Sequence, residues 1–431
     1  MPHGRRATVA GMDCSLDERA RALLLANTQT GESGGRRFRF SVPSPGAYPF
    51  QWFWDSCFHA VVWSRLDAER AADELRGLLA WQADSGLIPH VVFWNRRKVS
   101  ALAWHYLESH GPARWLPLSG RPWTTAGIQP PVIAQAVERI VLAGADGGYL
   151  AEVLPALERY YRFLASVRDP DGDGLVSIIS QFESGLDFSP AYDEVVGVRR
   201  PRPFALHARS RSTQVVNKLL SFDVQRIAHR CGHHQEDVLV NALYGQGLRA
   251  LARLAERAGR PELAVWAAER AGGVTEALLE RSWDERRGLF FNLAGSEERR
   301  GCVKTVHGLM PLVLEDLPGD VAGRLVEHLT DPREFWAPFP VPSVALDEPT
   351  FTRDHRVRGR RFIWRGPTSM NTNWLLAGGL RRHGFAEVAD AIAVRSRELV
   401  ERGGFNEFYD PIGGAPVGAD AFGWATLAAD L

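Results

Sequence analysis

Apolar positions recur at helical spacing along most of this chain, and between the helical runs lie long stretches rich in aromatics, glycine and proline. Ser15 to Thr28 (SLDERARALLLANT) opens with a capping serine, places acids in its first turn and carries an apolar stripe, which predicts a helix. A glycine-rich segment from Gly31 to Pro49 follows, with a short strand predicted at Phe38 to Val42, and then the mostly apolar run Phe50 to Ser64. Asp67 to Asp84 is strongly periodic, and Leu87 to Trp94 reverts to loop or short strand. Gly111 to Pro131 is irregular, dominated by proline and tryptophan. Ile133 to Ala143 pairs with Leu150 to Val167, and Thr213 to Arg230 with Gln235 to Arg257, followed by Pro261 to Arg281. Trp283 to Asn292 predicts a turn and short strand, and Thr305 to Leu317 and Asp320 to Leu329 predict short helices. After a long excursion from Trp336 to Arg361, Asn373 to His383 and Ala386 to Arg402 make a last pair, and Ala419 to Leu431 closes the chain as a helix. Paired helices with few, scattered strands predict an all-α protein with minor β structure. Loops this long and aromatic are uncommon unless they build a site.

Composition narrows the function. The 431 residues hold 45% apolar residues, enough for a sizeable core, and no composition break divides them. We therefore expect a tail at residues 1–14 and one catalytic domain over 15–431. Fifty-one basic and fifty-one acidic residues cancel, so nothing favours nucleic acid or an acidic membrane surface. No leader-like or membrane-spanning apolar stretch is present, and Cys14, Cys57, Cys231 and Cys302 lack metal or disulfide spacing. Both observations suggest a cytoplasmic protein with free thiols; a homo-oligomer is compatible with them. Fourteen tryptophans, many beside Asp, Gly or Pro, are suited to stacking on sugar faces, although most belong to a large core.

Candidate chemistry is concentrated in Gln181 to Asp193 (QFESGLDFSPAYD), which combines Glu183, Asp187 and Asp193 with aromatics and Gly185. In such a loop one carboxyl can be kept protonated by apolar neighbours while another stays ionised, as glycoside hydrolysis requires. Two other clusters accompany it. Asp55, in QWFWD, either caps the following helix or accepts hydrogen bonds from sugar hydroxyls, and the two are compatible. Farther on, WRGPT and NTNW precede GFNEFYD, where Glu407 is the best second carboxylate.

ESGLDFSP at Glu183 to Pro190 resembles the acid motif of inverting trehalases and of glycoside hydrolase family 63. PSPG, YPFQW and FWDSCFHA near the N-terminus resemble the mannosylglycerate and glucosylglycerate hydrolase-like branch of that family. WRGPTSMNTNWLLAGGLRRHG and GFNEFYDPIGGAPVGADAFGWA resemble its C-terminal blocks, in the same order. The resemblance covers residues from about 15 to the end. It implies an (α/α)6 toroid and inverting hydrolysis of a small α-glycoside such as glucosylglycerate or mannosylglycerate, without a cofactor or catalytic metal. By motif position, Asp187 would be the general acid and Glu407 the general base, with carboxyls about 6.5–9.5 Å apart. Leu186 and Phe188 would desolvate Asp187, while Asn406 and solvent would keep Glu407 ionised. Trp52, Trp54 and Asp55 would line the sugar subsite, joined by Gln129, Trp364, Arg365 and Trp374. Arg365 or the Arg353 to Arg361 loop would meet a substrate carboxylate. Ser369, Met370 and Ala191 depart from the family pattern near the expected site and bear on aglycone preference.

Other readings stay open. An α-glucosidase acting on di- or oligosaccharides would use the same two acids. A sugar epimerase or isomerase on the same toroid would use histidines as proton carriers, for which His59, His90 and His307 are candidates. A binding protein without catalysis would have one acid displaced. His105, His233 and His234 have no metal spacing. Asp169, Asp171, Asp173 and Gly174 (DPDGDG) match the opening of a calcium loop, but Ser180 stands where an EF-hand has glutamate.

Overall fold

The computed structural model describes residues 15–33, 35–94, 123–145, 147–195, 197, 203–353, 356–357, 360–361 and 364–431. The proposed tail at 1–14, Cys14, His105 and residues 354–355 and 358–359 of the Arg353 to Arg361 loop lie outside these residues.

Six elements close an inner ring. In order around it are the helices Phe53–Leu66, Ile133–Leu142 and Val238–Arg257, the 3-10 helix Val306–Val313, the helix Met370–Arg382 and the 3-10 helix Gly423–Ala429, which packs back on the first. Each inner element packs with an outer helix: Ala68–Leu79, Tyr149–Val167, Pro261–Ala277, Gly319–Thr330, Ala386–Gly403 and, for the last inner element, Leu16–Ala26 from the start of the chain. The result is an all-α (α/α)6 toroid. The ring is stitched where its ends meet, because the amide of Asn27 donates to the Ala421 carbonyl and Gly423 N–H to that of Pro43.

Local sequence explains most boundaries. Ser15 and Glu18 form a capping box at the first helix. Phe53–Leu66 is buried on all sides along most of its length, as suits a ring interior, and Asp67 ends it while capping the next helix through Arg70 N–H. Inner elements approach closely: a Cβ on Gly379 would lie 2.3 Å from the Leu312 carbonyl oxygen, so only glycine fits there.

Several predicted boundaries shift. Val306–Val313 is a 3-10 helix because Pro311 inside it cannot donate a backbone bond, and the closing segment is likewise 3-10. The expected helix from Thr213 to Arg230 is two helices, Pro203–Leu219 and Val224–Cys231, broken where Ser221 and Phe222 adopt positive φ and Asp223 caps anew. Gln235–Glu236 is a strand, and the following helix starts behind Asp237.

The connections are unequal. Inner-to-outer links are short: residue 67, then 143–148, 258–260, 314–318 and 383–385. Outer-to-inner links are long: 27–52, 80–132, 168–237, 278–305, 331–369 and 404–422. Antiparallel hairpins put all the long links at one end, where the inner helices present their N-termini. The two candidate acids are on two of these links.

Candidate active site

The acid loop is folded by its own side chains. Gln181–Ser184 forms a 3-10 turn ended by Gly185 at φ 73°, and the ring of Trp54 lies where a Cβ on Gly185 would sit, 2.5 Å away. Glu183 is buried and accepts from the Ile128 and Ile179 N–H groups at 2.9 and 2.7 Å while paired with Arg168. Asp193 is held by both terminal nitrogens of the buried Arg365, at 2.9 and 2.6 Å. Phe188, next to Asp187, sits at φ 63°, a strained setting for an aromatic. Its N–H donates to Gln181 Oε1 and its carbonyl accepts from Arg365 Nη1, each at 2.8 Å. Of the three carboxylates, only Asp187 has no cation beside it among the described residues. Burial pushes its pKa up to about 8, with the Glu407 charge as the second cause.

Glu407 lies on a strand, Asn406–Tyr409, paired with Pro416–Asp420. It is 4% exposed, so solvent does not hold it ionised as expected, and the Asn406 amide turns away to the Gly403 and Gly404 carbonyls. The ionised form is supported instead by the Tyr48 hydroxyl and the Ala419 N–H, both at 2.9 Å. Burial outweighs these bonds and raises its pKa to about 7. Asp55 is likewise raised to about 7, chiefly by burial and partly by Glu407. It lies in the first turn of its helix and is not the cap.

An aromatic layer joins the two carboxylates. Trp54 covers Gly185 and meets Trp424 edge-on at 5.6 Å between centroids, and Trp424 donates to the Glu407 carbonyl at 3.2 Å. Tyr48, bound to Glu407, packs edge-on against Trp52 and Phe422. Trp364 packs edge-on on Phe408 at 4.7 Å. Trp54 and Trp364 are each 2% exposed, so they form the packed floor and do not present open stacking faces.

Four expected contributors have protein partners of their own. The Trp374 indole donates to Asp430 beside Arg139, in a network at the closing segment, and is not drawn to the acids. Gln129 Oε1 accepts from Trp54 N–H and so fixes the start of the inner helix. Arg365 forks onto Asp193 and donates to the Phe188 carbonyl. Arg353 is bound to Asp410, with Nε at 2.8 Å. The departures also resolve. Ser369 donates to the Glu407 carbonyl and Met370 is core, both behind the acid, whereas Ala191 lines a cavity of about 350 Å³ with Asn292, Thr305 and His307. Neither Asp187 nor Glu407 lines that cavity.

Tyr48 and Trp424 are the residues that sequence reasoning missed. Tyr48 reaches Glu407 across 359 positions, and its only sequence signal was its place in the YPFQW block. Two of the candidate proton-carrying histidines have other partners. His307 Nε2 meets the Tyr192 hydroxyl and Nδ1 the Thr305 hydroxyl, both at 3.0 Å, while burial lowers its pKa. His59 stands behind Asp55, 3.6 Å from Glu74.

Residues 48–425 match the mannosylglycerate hydrolase MGH1-like glycoside hydrolase domain. The chain belongs to this family. It is a glycoside hydrolase of the family 63 branch. Mannosylglycerate hydrolase of Thermus thermophilus is 31% identical over 91% of this chain and 96% of its own length. Glucosylglycerate hydrolase of Mycolicibacterium hassiacum is 28% identical over 90% and 92%. The crystal structure of a family 63 mannosylglycerate hydrolase from Thermus thermophilus in complex with glucose superposes with a TM-score of 0.81 at 30% identity, covering 96% of this chain and 99% of that one. Neutral trehalase of Saccharomyces cerevisiae shares the fold at 16% identity and a TM-score of 0.59. Among the described residues, no helix of this glycoside hydrolase is long and apolar enough to cross a membrane.

Proposed function

We propose that this enzyme hydrolyses a small α-glycoside of glyceric acid, mannosylglycerate or glucosylglycerate, with inversion at the anomeric carbon. Asp187 is the general acid that protonates the glycosidic oxygen. Glu407 is the general base that takes a proton from water attacking the opposite face. The observation that carries this reading is the contrast within the acid loop: Glu183 and Asp193 are neutralised by arginines, and Asp187 is left unpaired, desolvated and within reach of the Glu407 charge. A carboxyl so placed keeps its proton at neutral pH, while Glu407, with two donors, ionises first. The relatives' names supply the glycerate aglycone.

Proton NMR of the purified enzyme with mannosylglycerate, glucosylglycerate and a panel of α-glucosides tests the proposal. The expected result is hydrolysis of a glycerate glycoside with the β-anomer released first. Release of the α-anomer would reject inversion, and turnover of disaccharides alone would reassign the substrate.

A further inference from the structure

Tyr192 closes the turn that carries Asp187. Ser189 N–H donates to the Leu186 carbonyl at 3.1 Å, and Tyr192 N–H donates to that of Ser189 at 3.1 Å, so a chain of backbone bonds brackets the acid. Phe188, inside that bracket, is held at φ 63°, a setting that persists only where the surroundings over-determine it. Tyr192 is 1% exposed, and its side chain reaches the opening of the inner helix Val238–Arg257. There its hydroxyl lies 2.6 Å from Asp237 Oδ2 and 3.0 Å from His307 Nε2.

The direction of each of these bonds follows from the donors. Burial and then the Asp237 carboxylate hold the Tyr192 pKa well above its ordinary value, so the phenol keeps its proton. That single proton goes to Asp237. The His307 contact is then an Nε2–H donating to the phenol oxygen, which leaves Nδ1 to accept from the Thr305 hydroxyl at 3.0 Å. Asp237 caps its helix through Oδ1 alone, which accepts from Val240 N–H at 2.9 Å. Its Oδ2 is left for Tyr192 and for Asn292 Nδ2, the latter at 2.8 Å, and the Asn292 amide is oriented by Val238 N–H on its Oδ1 at 2.9 Å. A buried network with every donor assigned gives the phenol oxygen one position.

We propose that Tyr192 is a positioning residue for the general acid, with Asp237 and His307 fixing its hydroxyl, so that the turn holds the Asp187 carboxyl where it delivers its proton. The inference rests on the reading of Asp187 as that acid. Arg365 already grips the adjacent Asp193 and the Phe188 carbonyl. A clamp at one residue leaves the turn free to swing about it. The Tyr192 hydroxyl, held from a different inner element, is the second fixed point that removes this freedom.

Tyr192→Phe keeps the ring and removes the hydroxyl. Its turnover of mannosylglycerate and glucosylglycerate is compared with that of the dinitrophenyl α-glycoside of the same sugar, whose leaving group needs no proton, and Asp187→Asn is assayed in parallel. On the glycerate glycoside kcat should fall about tenfold with KM changed less than about twofold, whereas the dinitrophenyl glycoside should lose less than about twofold. Asp237→Asn has one acceptor oxygen in place of two and cannot serve both Val240 N–H and Tyr192. It should show the same pattern, and the double variant should lose no more than either single one, because both act through one hydrogen bond. Where Asp237→Asn does not fold, Tyr192→Phe decides by itself. Equal losses on the two kinds of substrate, or an unchanged kcat, overturn the positioning role while Asp187→Asn is rescued by the activated leaving group. If Asp187→Asn is not rescued, the assignment of the acid fails and the positioning role falls with it.

Discussion

The loops bearing Asp187 and Glu407 treat a carboxylate in opposite ways. The Asp187 loop spends its cations on the neighbours, with Arg168 on Glu183 and Arg365 on Asp193, and leaves the central acid bare. The Glu407 strand gives its acid a hydroxyl and an amide instead. Burial raises both pKa values, Asp187 to about 8 with the Glu407 charge adding to it and Glu407 to about 7 against the pull of its two donors. Two side chains of nearly the same intrinsic acidity are thereby given different protonation states by their surroundings.

The sharpest way to break the comparison is to remove each acid in turn. Asp187→Asn and Glu407→Gln should each lower kcat by about 10³-fold or more on the natural substrate. An aryl glycoside whose leaving group needs no proton should restore much of the Asp187→Asn rate and none of the Glu407→Gln rate. Equal rescue of both would show that the two roles are not distinct.

Next in size is the clamp. Arg365→Met should reduce kcat by about 10²-fold with a smaller change in KM, since Phe188 and Asp193 are released and Asp187 is misplaced. Arg365→Lys should recover only part of this, because a single ammonium cannot bind Asp193 in a fork. The basic limb of the pH profile should also move in Arg365→Met, which simple loss of folded protein would not produce.

The pH profile sharpens the comparison. With Glu407 as the proposed base and Asp187 as the proposed acid, kcat/KM should fall below about pH 7 as Glu407 gains a proton and above about pH 8 as Asp187 loses one. Tyr48→Phe removes a donor to the ionised base and should move the acid limb upward by about 0.5–1 unit, with the basic limb little changed.

The smallest effect is on stability. The folded Asp187 pKa lies above the ordinary value of 3.8, so ionisation increasingly opposes folding as pH rises from that value to about 8. Asp187→Asn should therefore raise Tm by about 2 °C at pH 8 and leave it unchanged at pH 4, as thermal melts at the two values would show.

The sequence by itself determined most helices and the order of the long aromatic links, because amphipathic periodicity and capping are local properties written within a few residues of one another, but it mispaired one of them: Val238–Arg257 packs with Pro261–Ala277 and not with the segment before it. The same local legibility applies to the family resemblance, whose blocks are contiguous. Only the tertiary structure decided which loop acid stands unpaired, since Arg365 reaches Asp193 across 172 positions and Tyr48 reaches Glu407 across 359. Trp374 and Gln129 read alike with Trp52 and Trp54 along the chain, yet one binds Asp430 and the other Trp54 N–H. Side-chain protonation depends on burial and on neighbours brought together by ring closure, and neither is a property of any single stretch of residues.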